Sequence, residues 1–227
     1  MNQNACALRK TAPAESGGRK TTSQLVEKIN SLKQSPISLE VNKRLREFQE
    51  LGKKESSEWF SELCFCILTA NSKAATALEI QKELGSSGFL NKSQNNLSAS
   101  IKRNKHRFHN TKARYITEAR KFSKIKTILS REKNPREWLV KNVKGLGWKE
   151  SSHFLRNTGS IEYAILDRHI INLLHAHKII NQTPKSLPNK TYLEIEKVFK
   201  DIAYELKMSP AELDLYMWYS KTGKVLK

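Results

Sequence analysis

Apolar positions recur every three or four residues along this chain from Thr21 onward, the spacing of helices that each bury one face. Leu25, Ile29 and Leu32 form one stripe, and Val41, Leu45, Phe48 and Leu51 form a second after Pro36. Trp59, Phe60, Leu63, Ile67 and Ala70 form a third, with Ser56 or Ser57 placed to cap its start. Ile116, Ala119, Phe122, Ile125 and Ile128 line a further one, and Ile195, Val198, Phe199, Ile202 and Leu206 another. Ser209-Pro210 opens a last helix, since proline suits the first helical position. No run alternates as a strand would, so the pattern predicts an all-α protein. Residues 1–21 hold few large apolar side chains and read as a flexible basic tail.

Composition narrows the function. The 227 residues include 41 Lys+Arg against 22 Asp+Glu, a formal net charge of +19. That excess points to a polyanionic partner, nucleic acid above all. The segment from Lys102 to Lys126 concentrates it, with Lys112, Arg114, Arg120, Lys121 and Lys124 expected on or near a phosphate-facing helix surface. Three cysteines, Cys6, Cys64 and Cys66, are too few for a disulfide framework or a four-cysteine metal or iron–sulfur site. With no apolar run of membrane-spanning length and no apolar leader, an intracellular, cytoplasmic or nucleoid-associated protein is expected. Cys64 and Cys66 read as buried small hydrophobes.

Residues 139–157 carry the sharpest local signal. A helical stretch ending near Val143 stops at Gly145-Leu146-Gly147, and a second helix begins at once. This is a helix–hairpin–helix pattern. Glycine at both hairpin positions is expected to allow positive φ and close approach of another chain. The amides opening the second helix would then face a phosphate, next to the positive end of its dipole. Lys144 joins Gly145 and Gly147 as a candidate DNA-backbone contact, and Leu146 is expected to anchor the turn in the core. Lys149 sits in the first turn of the second helix. The dipole disfavours a cation there and so favours the neutral, nucleophilic amine; a phosphate-binding lysine is the plainer alternative. Asp167 follows 18 residues later, at the end of Ala164-Ile-Leu, and can cap the helix that starts behind it.

The run Val143-Lys-Gly-Leu-Gly-Trp-Lys149, followed by Ile165-Leu-Asp167, resembles the helix–hairpin–helix DNA glycosylases. Within them the chain is most similar to the archaeal-type (type 2) 8-oxoguanine DNA glycosylase/lyases. Three segments carry that likeness: 147–157, Ile-Leu-Asp-Arg-His at 165–169, and Glu-Leu-Asp-Leu-Tyr-Met-Trp-Tyr-Ser-Lys-Thr-Gly-Lys-Val-Leu-Lys at 212–227. It implies excision of 8-oxoguanine from double-stranded DNA, with Lys149 attacking the sugar, forming a Schiff base and nicking the strand by β-elimination. Asp167 would stabilise the cationic sugar. The base must leave the duplex to be reached. Trp218, a core residue on periodicity alone, would by resemblance stack on it. The terminal carboxylate of Lys227 would read the purine edge. Asn71, otherwise a plain helix-ending asparagine, would fill the gap in the duplex.

Phe108 is left open between a wedge and a core residue, and His153 and His169 between structural and phosphate-facing roles. The mechanism implied needs neither metal nor organic cofactor. The expected architecture is two helical lobes with a DNA-binding cleft between them, acting as a monomer. One lobe spans 55–158; the other joins 22–54 to 159–227. Two rivals stand beside this reading: a glycosylase of the same fold for another damaged base, and a non-catalytic helix–hairpin–helix module that only binds DNA.

Overall fold

The computed structural model describes residues 17–227, with side chains from residue 24 onward. Of the tail expected over 1–21, residues 1–16 lie outside this part. All regular structure among the described residues is helical. The chain runs α1 (Gly17–Lys33), α2 (Ile37–Lys53), α3 (Ser56–Thr69), α4 (Ala74–Asn91), α5 (Gln94–Arg103) and α6 (His109–Ala119). A 3-10 turn at Arg120–Phe122 leads to α7 (Ile125–Leu129), α8 (Pro135–Asn142) and α9 (Trp148–Asn157). Then come α10 (Arg168–Ala176), α11 (Asn189–Glu205) and α12 (Pro210–Thr222). No helix among the described residues is long and apolar enough to cross a membrane.

Three local expectations change. The stripe from Ile116 to Ile128 is not one helix but three pieces, because the chain turns at Arg120–Phe122 and restarts at Ile125. The first helix starts at Gly17, ahead of the first apolar stripe. The residue before α3 is Glu55, and no side chain caps that helix, so neither Ser56 nor Ser57 plays the expected part. Ser209 does cap α12, its hydroxyl accepting from the Glu212 amide at 3.1 Å, with Pro210 at the first turn.

Two hydrophobic cores form. The central core gathers α3 to α9, from Phe60 to Leu155. Helix α3 is its axis: every residue from Phe60 to Ala70 is buried, the signature of a helix surrounded on all sides rather than one with a wet face. Cys64 and Cys66 are therefore both buried despite pointing apart. The terminal core gathers Leu25, Ile29, Val41 and Phe48 with residues of α10, α11 and α12. Helix α9 belongs to both, since Phe154 sits in the central core while Trp148 packs on the terminal one. Its first turn, which carries Lys149, thus lies at the seam.

Candidate active site

The hairpin between α8 and α9 is tight. Gly145 has φ +88, and a Cβ there would sit 2.6 Å from the Tyr115 ring, so this position requires glycine on both counts. Gly147 does not fit the expectation of positive φ: it is extended, at φ −99. Its amide donates to Glu150 Oε2 at 3.2 Å, which closes the first turn of α9. Leu146 is buried in the central core, and Lys144 is exposed and pairs with Glu118 at 2.9 Å. Lys149 Nζ lies 3.1 Å from Glu150 Oε1. Glu150 thus holds the hairpin amide with one oxygen and the lysine with the other. It is a counter-charge that the dipole argument did not include.

Asp167 precedes α10 and caps it, Oδ1 accepting from the Ile170 amide at 2.9 Å. The extended stretch before it is held by a buried polar cluster. The Ala164 amide donates to Glu196 Oε1 at 3.1 Å, the Leu166 amide donates to Tyr192 Oη at 3.3 Å, and that hydroxyl donates to the Ala164 carbonyl at 2.8 Å. Glu196 also accepts both arms of the Arg136 guanidinium, and Arg136 Nη1 reaches Ser152 on α9 at 3.3 Å. Burial pushes the Tyr192 phenol well above its ordinary range. This cluster joins α8, α9 and α11 to the extended segment before Asp167, so it sets where Asp167 stands relative to Lys149.

Both residues face open space. A cleft of about 1510 Å³ is lined by Asn71, Lys73, Lys105, Arg107, Lys149, Asp167, Lys185 and Trp218, among others. A smaller recess of about 110 Å³ opens at the same place, with Lys149, Asp167, His153, Arg156, Asp214, Trp218 and Lys227 in its walls. Trp218 is half-buried, its ring edge-on to His169 at 4.9 Å, and its indole N–H has no partner among the described residues. The structure thus gathers Lys149, Asp167, Trp218 and Lys227 around one recess and places Asn71 on the adjoining cleft wall. Asn71 follows α3 with φ +58, in the left-handed conformation asparagine tolerates. The α3 carbonyls before it are held by Lys112 Nζ on Ile67 at 2.6 Å and by His106 Nε2 near Leu68 at 3.0 Å.

Sequence reasoning missed several of these groups. Asp214 is buried against Arg156, and burial pushes its carboxyl up to about 7, with Asp167 adding to the rise and Arg156 opposing it. His153 is buried in α9, edge-on to Phe65, with Nε2 unpartnered. Burial, then the cations of Arg156, Lys149 and Lys227, hold it well below the ordinary imidazole range, so it is neutral. Nothing in the sequence separates Asp214 from an ordinary helix residue, and His153, left open between structural and phosphate-facing roles, is buried. Glu150 had a visible signal, a carboxylate three residues past the hairpin glycine.

The basic segment 102–126 is not one phosphate-facing surface. Lys112 is buried, and burial lowers its amine to about 8. Arg120 is occupied by the carbonyls of Phe89 and Lys92 and ties the 3-10 turn to the end of α4. Lys121 and Lys124 are exposed, and Lys105 and Arg107 line the cleft. Phe108 is partly exposed beneath the Arg107 guanidinium, 4.6 Å from its ring.

Comparison with known proteins finds relatives over most of the chain. A family model described as 8-oxoguanine DNA glycosylase covers residues 41–208. A Methanocaldococcus jannaschii protein named 8-oxoguanine DNA glycosylase/AP lyase is 48% identical over 89% of this chain and 99% of its own length. Its crystal structure in complex with a 15mer DNA containing 8-oxoguanine superposes with a TM-score of 0.88 at 47% identity, covering 90% of this chain and 100% of that one. The Thermotoga maritima 8-oxoguanine DNA glycosylase superposes with a TM-score of 0.86 at 37% identity, over 91% and 100%.

Proposed function

The chain belongs to the 8-oxoguanine DNA glycosylase family, and from that premise we propose that Lys149 and Asp167 carry out its chemistry. The protein is an 8-oxoguanine DNA glycosylase/AP lyase. Lys149 Nζ attacks C1′ of the damaged nucleotide, and the C1′–N bond breaks with its electron pair leaving on the base. The sugar ring opens to a Schiff base on Lys149. Loss of a C2′ proton then expels the 3′ phosphate by β-elimination. Asp167 stabilises the positive charge that develops on the sugar, because a fixed carboxylate in a partly dry site acts at the moment charge appears.

The remaining residues have distinct parts in this reading. The lesion is flipped out of the duplex into the recess. Trp218 stacks on it, worth ~1–3 kcal/mol per base, and Lys227 reads its edge. Asn71 fills the gap that the flipped base leaves. Lys144 and the Gly145 amide hold the backbone, while Gly147 shapes the hairpin with its own amide held by Glu150. The two cores act as lobes on either side of the cleft, the central one near 55–158 and the terminal one joining 22–54 to 159–227. A monomer supplies every group named, and an intracellular, nucleoid-associated setting follows from a chromosomal substrate.

The observation that carries the reading is the meeting of Lys149, Asp167 and Trp218 around one recess off a basic cleft. Borohydride trapping tests it. Lys149→Gln should lose both the trapped covalent complex and strand nicking while still binding duplex. Undiminished trapping removes Lys149 from the mechanism.

A further inference from the structure

Past α12 the chain turns at Gly223, φ +69, and leaves the helix. The next backbone contact, from the Lys224 amide to the Thr222 hydroxyl, is long at 3.4 Å. Even so, Leu226 and Lys227 form part of the recess wall. Val225 packs on the terminal core, and the side chain of Lys227 is the second anchor. Its Nζ crosses to the central core and donates to Glu62 Oε2 on α3 and to Gln81 Oε1 on α4, each at 2.7 Å. The cation also lies 4.4 Å from the centre of the Phe65 ring.

Glu62 is 1% exposed and stands in a helix otherwise packed with apolar residues. A carboxylate there is costly unless every oxygen is used. Its Oε1 accepts from Asn157 Nδ2 at 2.6 Å, and Oε2 also takes Gln81 Nε2 at 3.1 Å. Asn157 Oδ1 in turn accepts from Arg156 Nε at 3.1 Å and Nη2 at 3.0 Å, and Arg156 pairs with Asp214 in the recess wall. One carboxylate thus fixes two walls of the recess, the 223–227 segment directly and Asp214 through α9. Glu62 is not itself among the residues lining the recess.

We propose that Glu62 is a positioning residue for base recognition: by holding the Lys227 ammonium it keeps segment 223–227 against the flipped base. The inference rests on the reading of this recess as the base pocket. It predicts a split between the two activities. Excision needs the wall that contacts the base. Nicking of a pre-formed abasic site has no base to recognise and needs only the lysine and aspartate.

The test uses the full chain and two substrates, a duplex with one 8-oxoguanine and a duplex with one abasic site. Glu62→Gln keeps the shape and the Asn157 bond but leaves the ammonium without its counter-charge. Its single-turnover excision rate should fall roughly tenfold or more while abasic nicking stays within about twofold. Gln81→Leu removes the second acceptor together with the Gln81 amide's donation to Glu62 and Ser61, and leaves the Glu62 charge in place. It should show the same selectivity with a smaller loss, and it decides the matter if Glu62→Gln fails to fold. Unchanged excision, or excision and nicking falling together in the folded variants, overturns the proposal. A wild-type chain that nicks no abasic site would instead overturn the reading of the pocket itself, so the two failures are separable.

Discussion

Arg136 on α8 and Glu196 on α11 form a buried two-armed ion pair across the seam between the cores, with Nη2–Oε2 at 2.8 Å. Glu196 also accepts the Ala164 amide, three residues before Asp167. The guanidinium is sandwiched near the rings of Trp148 and Tyr163, each centre 4.7 Å away. Glu196→Gln leaves a buried cation uncompensated, which costs about 3–5 kcal/mol when a buried pair is broken from one side. A drop of that size in the unfolding free energy from denaturant melts is expected. Excision and abasic nicking should fall in parallel, because the segment that carries Asp167 loosens relative to Lys149. A loss confined to excision would show that this pair does not set the Lys149–Asp167 geometry.

Asp167 has two roles that one substitution separates. Its Oδ1 caps α10, and asparagine caps helices about as well as aspartate. Asp167→Asn should therefore leave thermal stability within ~0.5 kcal/mol. Removing the charge should still slow excision by about 10²–10³-fold, the usual size of one electrostatic contribution to a charged transition state. Near-normal excision would reduce Asp167 to a helix cap.

Helices such as α1, α2 and α11 were legible because each buries a stripe of apolar residues, and α12 was legible by its Ser209-Pro210 start. The hairpin was legible because a Gly-Leu-Gly between two such helices has few other uses. Lys149 and Asp167 stood out by their places at two helix starts. The groups that fill the recess between them did not. Asp214, Arg156 and His153 in its wall, and Glu62 behind it, lie on helices where their spacing looks unremarkable, and their burial comes from helices far away in sequence. Charge misled in the same way. Lys112 and Arg120 count as free cations in a composition, but the structure uses both to satisfy backbone carbonyls. The break at Arg120–Phe122 escaped because the apolar period runs straight through it.

Two buried groups give stability opposite responses to pH. His153 is held well below its ordinary 6.5, so below that pH the unfolded chain takes up a proton that the folded one refuses. Its share of stability is present above 6.5 and is lost as pH falls through that window, at ~1.4 kcal/mol per pH unit for one proton. Asp214 is raised from 3.8 to about 7, so the folded chain binds its proton first. Its share is full below 3.8 and is lost as pH rises through about 7. Between pH 5 and 6.5, His153→Gln should therefore flatten the rise of stability with pH, and Asp214→Asn should steepen it. Denaturant midpoints across that range read both, and slopes that change in the same direction would contradict the assignment.

Salt dependence can decide which cations touch DNA. Each phosphate contact releases counterions, so affinity falls with salt by a slope of ~0.9 per contact on duplex DNA. Lys105 and Arg107 line the cleft beside Lys149 and Asn71, where a duplex must pass for its base to reach the recess. Arg120 is spent on the carbonyls of Phe89 and Lys92. Lys105→Gln with Arg107→Gln should thus lower the salt slope by about two contacts, without lowering the unfolding midpoint. Arg120→Gln should do the reverse, lowering the unfolding free energy by the ~1–3 kcal/mol of hydrogen bonds lost to partly buried carbonyls while leaving the slope alone. Lys121→Gln with Lys124→Gln, exposed but outside the cleft lining, should change the slope less than the cleft pair. If the Lys121 and Lys124 pair flattens the slope more, the duplex runs across the face of the 3-10 turn, and the cleft does not hold its backbone.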